Sequence, residues 1–190
     1  MTCRPLPLLL LPLLLAACGS AVKGSVGTAP DPAPAPTPIG SVAKPDPGDQ
    51  TQSAEEAQLL RELNAARAVG RTCGGQYMPA VPAVTWNGYL AKSARAYVQD
   101  MATRGFFAHV DPDGRWPQQR AEAAGYTGWT NIGENIVGGY AVGEMTAAWL
   151  ASPDHCAALM SPEYKEVGVA FMQEAGHAFS TYGVQEFGSR

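Results

Sequence analysis

The chain has 190 residues, of which 46% are hydrophobic and 16% charged, with a formal net charge of −4. This length fits one domain, or one domain plus an appendage, and the acidic balance speaks against nucleic acid, which demands a surplus of clustered Lys and Arg. No apolar run reaches the ~18 residues a membrane-spanning helix needs, which excludes a multi-pass membrane protein.

Residues 1–17 read as a targeting segment. Arg4 supplies the positive end, Leu6 to Leu15 the apolar stretch, and Leu15-Ala16-Ala17-Cys18 closes it. That tetrapeptide resembles the lipobox of bacterial lipoproteins, in which the Cys becomes the first mature residue and carries acyl chains. On this reading Cys18 anchors the protein to a membrane of the cell envelope, since several chains hold where one is marginal. The alternative is an ordinary secretory signal cut after Ala17, with Cys18 left as a free thiol. Both place the mature chain outside the cytoplasm.

Residues 18–53 read as a linker. Ten of the sixteen prolines fall before residue 50, and alternate positions from Pro30 to Pro38 lack an amide proton. Such a run favours extended polyproline II and would span up to ~100 Å over the whole linker.

Residues 54–190 are long enough for one domain with its own core. Ala54 to Val69 is expected to be a helix, with Leu59, Leu60, Leu63 and Ala66 on one stripe and Ser53 with Glu56 forming a capping box. Asn87 to Thr103 is a second helix ending near Gly105, and Pro117 to Ala124 a short one between Pro and Gly125. Val142 to Ala151 is a fourth, stopping at Ser152-Pro153. Glu134 lies in a strand-like stretch. Val167 to Met172 and Ala178 to Phe187 are expected strands, joined by a turn at Glu174 to His177. Helices first and a hairpin last predict an α+β layered domain rather than a parallel βαβ one.

Cys73 and Cys156 are the only cysteines of the folded segment. In an oxidising compartment such a pair is most simply a disulfide, contributing roughly 4 to 5 kcal/mol at most in the chain-entropy model. Cys156 as a nucleophile beside His155 is the weaker reading, because adjacent side chains point apart. The three histidines are His109, His155 and His177; His109, Glu134 and His155 each stand at the edge of an element, where a scaffold presents polar groups.

Leu63-Asn64-x-x-Arg67, Leu90-x-x-x-Ala94, Phe107-x-His109, Gly125-Tyr126, Gly133-Glu134-Asn135-Ile136, Trp149-x-x-Ser152-Pro153-x-His155, Glu166-Val167-Gly168-Val169 and Gln185-x-Phe187-Gly188 follow one another along residues 59–188. In this order the chain resembles the bacterial branch of the CAP superfamily, the cysteine-rich secretory, antigen 5 and pathogenesis-related proteins. The resemblance implies an α-β-α sandwich with a cleft tetrad of two His and two Glu. His109, Glu134 and His155 match three of these; the second Glu falls on Ser152. His177 matches nothing and reads as a surface residue.

Two imidazoles and a carboxylate fit a three-ligand zinc or other divalent metal site with one open position, and some family members bind metal there. The competing readings are a hydrogen-bonded brace and an acid/base site in a peptidase-like hydrolase, for which no Gly-x-Ser-x-Gly elbow is present. Asp111-x-Asp113-Gly114 faintly resembles the start of a calcium loop but reads as a plain turn. The leading expectation is a monomeric, lipid-anchored binding module of the cell envelope. Its ligand is a metal ion, a lipid or an envelope component. An enzyme is less favoured, and an envelope protein with a vestigial cleft is the third alternative.

Overall fold

The computed structural model describes residues 46–174 and 178–190. The expectations on the targeting segment, Cys18, most of the linker and His177 lie outside those residues.

Among the described residues there are five helices and six strands: α1 Ala54–Arg67, β1 Arg71–Cys73, β2 Gln76–Met78, β3 Thr85–Trp86, α2 Gly88–Arg104, α3 Pro117–Ala124, β4 Asn131–Gly138, α4 Val142–Ala151, α5 Pro153–Leu159, β5 Glu166–Gln173 and β6 Thr181–Ser189. The main sheet runs β3-β5-β6-β4, antiparallel except for the short parallel β3–β5 pair. β1 and β2 form a separate hairpin. No helix among the described residues is long and apolar enough to cross a membrane.

Period-two alternation sorts the sheet into two faces. Val137, Val167, Val169 and Phe187 face one core with Leu59 and Leu63 of α1, Met145 and Trp149 of α4, and Leu159 of α5. Ile136, Ala170, Tyr182 and Val184 face the other, with Ala94, Tyr97, Val98 and Met101 of α2. Leu90, Ala121 and Tyr126 extend this second layer toward α3. The expected α-β-α sandwich is therefore present.

The helix ends follow their sequence signals. Ser53 Oγ accepts from Glu56 N at 3.1 Å while Ser53 N donates to Glu56 Oε2 at 2.8 Å, completing the capping box. Asn87, expected inside the second helix, caps it by accepting from Tyr89 N and Leu90 N. Gly105 ends α2 at φ 69°, a left-handed cap that favours glycine. Gly168 has a different reason: a Cβ there would lie 1.9 Å from Ala91 N, so only glycine lets α2 settle on β5.

The fourth helix stops at Ser152-Pro153 as expected, with Ser152 extended; Pro153 then opens α5, a short further helix the sequence reading did not include, at a position where its missing N–H costs nothing. The segment between the first two helices, to which the sequence reading assigned no element, carries the β1–β2 hairpin and β3, whose strands are too short to show an alternating pattern.

Candidate functional site

β4 ends the sheet, and its successive residues point to opposite layers. Glu134 faces the α2/α3 layer. Its Oε1 lies 2.7 Å from His109 Nδ1, and its Oε2 accepts from Arg120 Nη2 at 2.6 Å. The Glu134 side chain is 1% exposed and that of His109 46%, so the carboxylate is the buried anchor and the imidazole the accessible end.

Arg120 does more than pair with Glu134. Its Nη1 donates to the carbonyls of His109 and Arg115, and its guanidinium lies 3.4 Å from the Tyr97 ring centroid. The Tyr97 hydroxyl in turn donates to the carbonyl of Ala108. Both residues thus hold the 108–115 loop as well as the carboxylate. Asp111 completes that loop: its carboxylate accepts from the backbone N–H groups of Asp113 and Arg115 and from Arg115 Nε. Its acceptors are taken by its own turn, in agreement with the plain-turn reading.

Asn135 faces the other layer. Its Nδ2 donates to the carbonyl of His155 at 3.2 Å and to Gln185 Oε1 at 3.1 Å, tying the start of α5 to the sheet. Burial and then the nearby His109 push the His155 imidazole below its ordinary value, with Asp154 opposing. His109 and His155 therefore approach the β4 edge from opposite layers of the sandwich. His155 and Ser152 sit in a groove of about 250 Å³ with Phe107, Ile136, Trp149 and Phe179. Phe107 and Phe179 meet edge-on, centroids 5.0 Å apart.

The expected disulfide is present: Cys73 of β1 and Cys156 of α5 are bonded, with both residues buried. Cys156 is consequently no nucleophile. The three-ligand metal site is a different matter. Both Glu134 oxygens already have partners, and among the described residues no group of three His, Cys, Asp or Glu side chains could hold a metal ion. As arranged, His109, Glu134 and His155 do not fit a resident metal, and no chemistry is routed through one.

Arg120 and Glu186 were not among the candidate residues. Arg120 is 7% exposed although it lies in a helix whose only sequence signal was its flanking Pro and Gly. Glu186 is an acid inside a strand buried along its length, which is the kind of residue that calls for a partner. That was the signal available for it.

A family model described as "Cysteine-rich secretory protein family" (CAP) matches residues 60–187. The chain is 32% identical over 85 residues to the uncharacterized protein YkwD of Bacillus subtilis, covering 44% of this chain and only 33% of that protein. The match thus spans about a third of that relative's length. An outer surface protein from Borrelia burgdorferi superposes with TM-score 0.61 at 20% identity, over 75% of this chain and 98% of that one. An extracellular protein containing an SCP domain from Bacillus anthracis gives 0.57 at 20% identity, over 72% and 40%. A cysteine-rich secretory protein from Staphylococcus aureus gives 0.53 at 18%, over 72% and 38%. These structural likenesses establish the fold.

Proposed function

The chain belongs to the cysteine-rich secretory protein (CAP) family, and from that membership we propose that it works outside the cytoplasm as a binding module for an amphipathic component of the cell envelope. The observation that carries this reading is an apolar groove with a fixed polar end. Phe107, Ile136, Trp149 and Phe179 supply the apolar wall, and His155 and Ser152 the polar atoms within it. The His109–Glu134–Arg120 chain stands on the same β4 edge. A volume of about 250 Å³ falls just under the ~300 Å³ at which small-molecule sites begin. It suits one end of a longer molecule.

The lipobox-like sequence supports a lipid anchor on Cys18, and the Pro-rich segment after it a spacer. Cys18→Ser should abolish incorporation of labelled palmitate and move the protein out of the membrane fraction. Retained labelling would place the anchor elsewhere.

Binding is tested by intrinsic fluorescence, because Trp149 is wholly buried against the groove. Phospholipid vesicles and soluble cell-wall fragments are titrated separately. A saturable change that weakens more than tenfold when Phe107 and Phe179 are both replaced by Ala supports the reading. An unchanged affinity sinks it. Fragments released from cell-wall material by the wild type but not by Glu134→Gln would make the same cleft a hydrolase.

A further inference from the structure

Glu186 lies on β6 directly opposite Glu134 on β4, on the face covered by α2 and α3. The residue is 0% exposed. Its Oε1 accepts from Ser93 Oγ at 3.1 Å, and no N–H or O–H donates to its Oε2. Two carboxylates therefore stand side by side in a buried space that holds one guanidinium.

Arg120 discriminates between them. Its Nη2 is 2.6 Å from Glu134, its Nη1 is held by two carbonyls, and it makes no hydrogen bond to Glu186. Two like charges in contact inside a protein cannot both ionise on one counter-ion, so the pair retains a proton. The proton belongs to the carboxyl without the cation. The titratable or charged groups facing Glu186 are Glu134 from β4, Arg120 from α3 and, through Glu134, His109 from its loop. Burial first, and the Glu134 charge second, push the Glu186 carboxyl well above the usual carboxylate range. Arg120 and the Ser93 hydroxyl only partly offset them.

We propose that Glu186 is a positioning residue, a neutral carboxylic acid whose O–H donates to Glu134, keeps Glu134 the anion, and so fixes the His109 proton on Nδ1. An ionised Glu134 can only accept, so the 2.7 Å contact requires an Nδ1–H donor. Neutral His109, its side chain 46% exposed, then has its lone pair on Nε2. A ligand of the neighbouring groove that reaches His109 is accordingly asked for a hydrogen-bond donor, such as a hydroxyl, an amide N–H or an ammonium, and a bare carboxylate is disfavoured. This deepens the binding reading above and rests on it for the ligand only. The tautomer is a property of the free protein.

The test is nitrogen-resolved NMR of the histidine rings at about pH 8, where neutral imidazoles reveal their tautomer. Wild-type His109 is expected as Nδ1–H. Glu186→Gln should keep that signature, because its amide donates to Glu134 and accepts from Ser93 as the neutral acid does. Glu134→Gln should shift His109 toward Nε2–H, since an amide N–H can donate to Nδ1. Wild-type His109 found as Nε2–H overturns the proposal, and so does a folded Glu186→Gln that loses the Nδ1–H signature. Glu186→Ala should blur the tautomer if it folds; the two Gln variants decide the matter if it does not. Decylamine and decanol should bind about tenfold more tightly than decanoate, roughly one hydrogen bond's worth. A preference for decanoate overturns the ligand class. If none of the three binds, the donor requirement fails with the binding reading, while the NMR outcome still decides the role of Glu186.

Discussion

The two buried arginines of this domain, Arg67 and Arg120, show how one residue type serves two ends. Arg67 is 0% exposed and touches no carboxylate. Its nitrogens donate to the carbonyls of Pro82, Leu159, Ser161 and Tyr164, so one side chain closes the turn between α5 and β5. Arg120 also donates to carbonyls, but its decisive partner is the Glu134 carboxylate, itself bonded to an accessible imidazole. The first arginine meets only neutral acceptors and belongs to the frame. The second sits in a chain of charges that reaches the surface, where a ligand or a proton can act on it.

That contrast breaks first at Arg120. Arg120→Met should cost about 3–5 kcal/mol at neutral pH, because it leaves the buried Glu134 carboxylate without its cation. It should also move the His109 ring signals. Arg67→Met should cost about 3 kcal/mol by leaving several carbonyls without donors, and should leave the His109 ring signals in place. An Arg67→Met that moves those signals, or an Arg120→Met that does not, would erase the distinction.

The frame was more legible in the sequence than the charge chain. Capping residues and helical stripes signal themselves locally, which is why Pro117–Ala124 and Val142–Ala151 carry the expected bounds. The motif residues Asn64 and Arg67 were legible as a pattern, but their work was not. Asn64 exchanges two hydrogen bonds with the Val84 backbone, and Arg67 reaches across more than 90 positions to Leu159. His109 and Glu134 were named together and are bonded together. Arg120 and Glu186 escaped because their meaning depends on which strand lies beside which. The pairing of β4 with β6 puts residue 186 opposite residue 134. No local window contains that register.

Smaller effects sharpen the same picture. Replacing Cys73 and Cys156 together by Ala should lower stability by about 2–3 kcal/mol, below the chain-entropy ceiling, while leaving the His109 tautomer unchanged. The His155 imidazole is held below its ordinary value in the fold, so the unfolded chain binds its proton first as the medium is acidified. The penalty from this ring is therefore absent above about pH 6.5, and stability declines as the pH falls from there through the folded value. In His155→Gln that part of the decline should vanish from a thermal-unfolding series. A series indifferent to the substitution would show that the ring is no more burdened in the fold than in water.

The segment that follows His155 is fastened twice from the same neighbourhood of the chain, once by sulfur at Cys73 and once by the fan of Arg67 bonds. Fastenings of such different chemistry do not fail together. A reductant opens one and leaves the other, whereas a denaturant loosens the polar one while the covalent one still holds the chain. The cleft should thus keep its shape in a reducing medium that strips most small exported domains of theirs. With both thiols reduced the domain should still fold, and the His109–Glu134 contact should survive there.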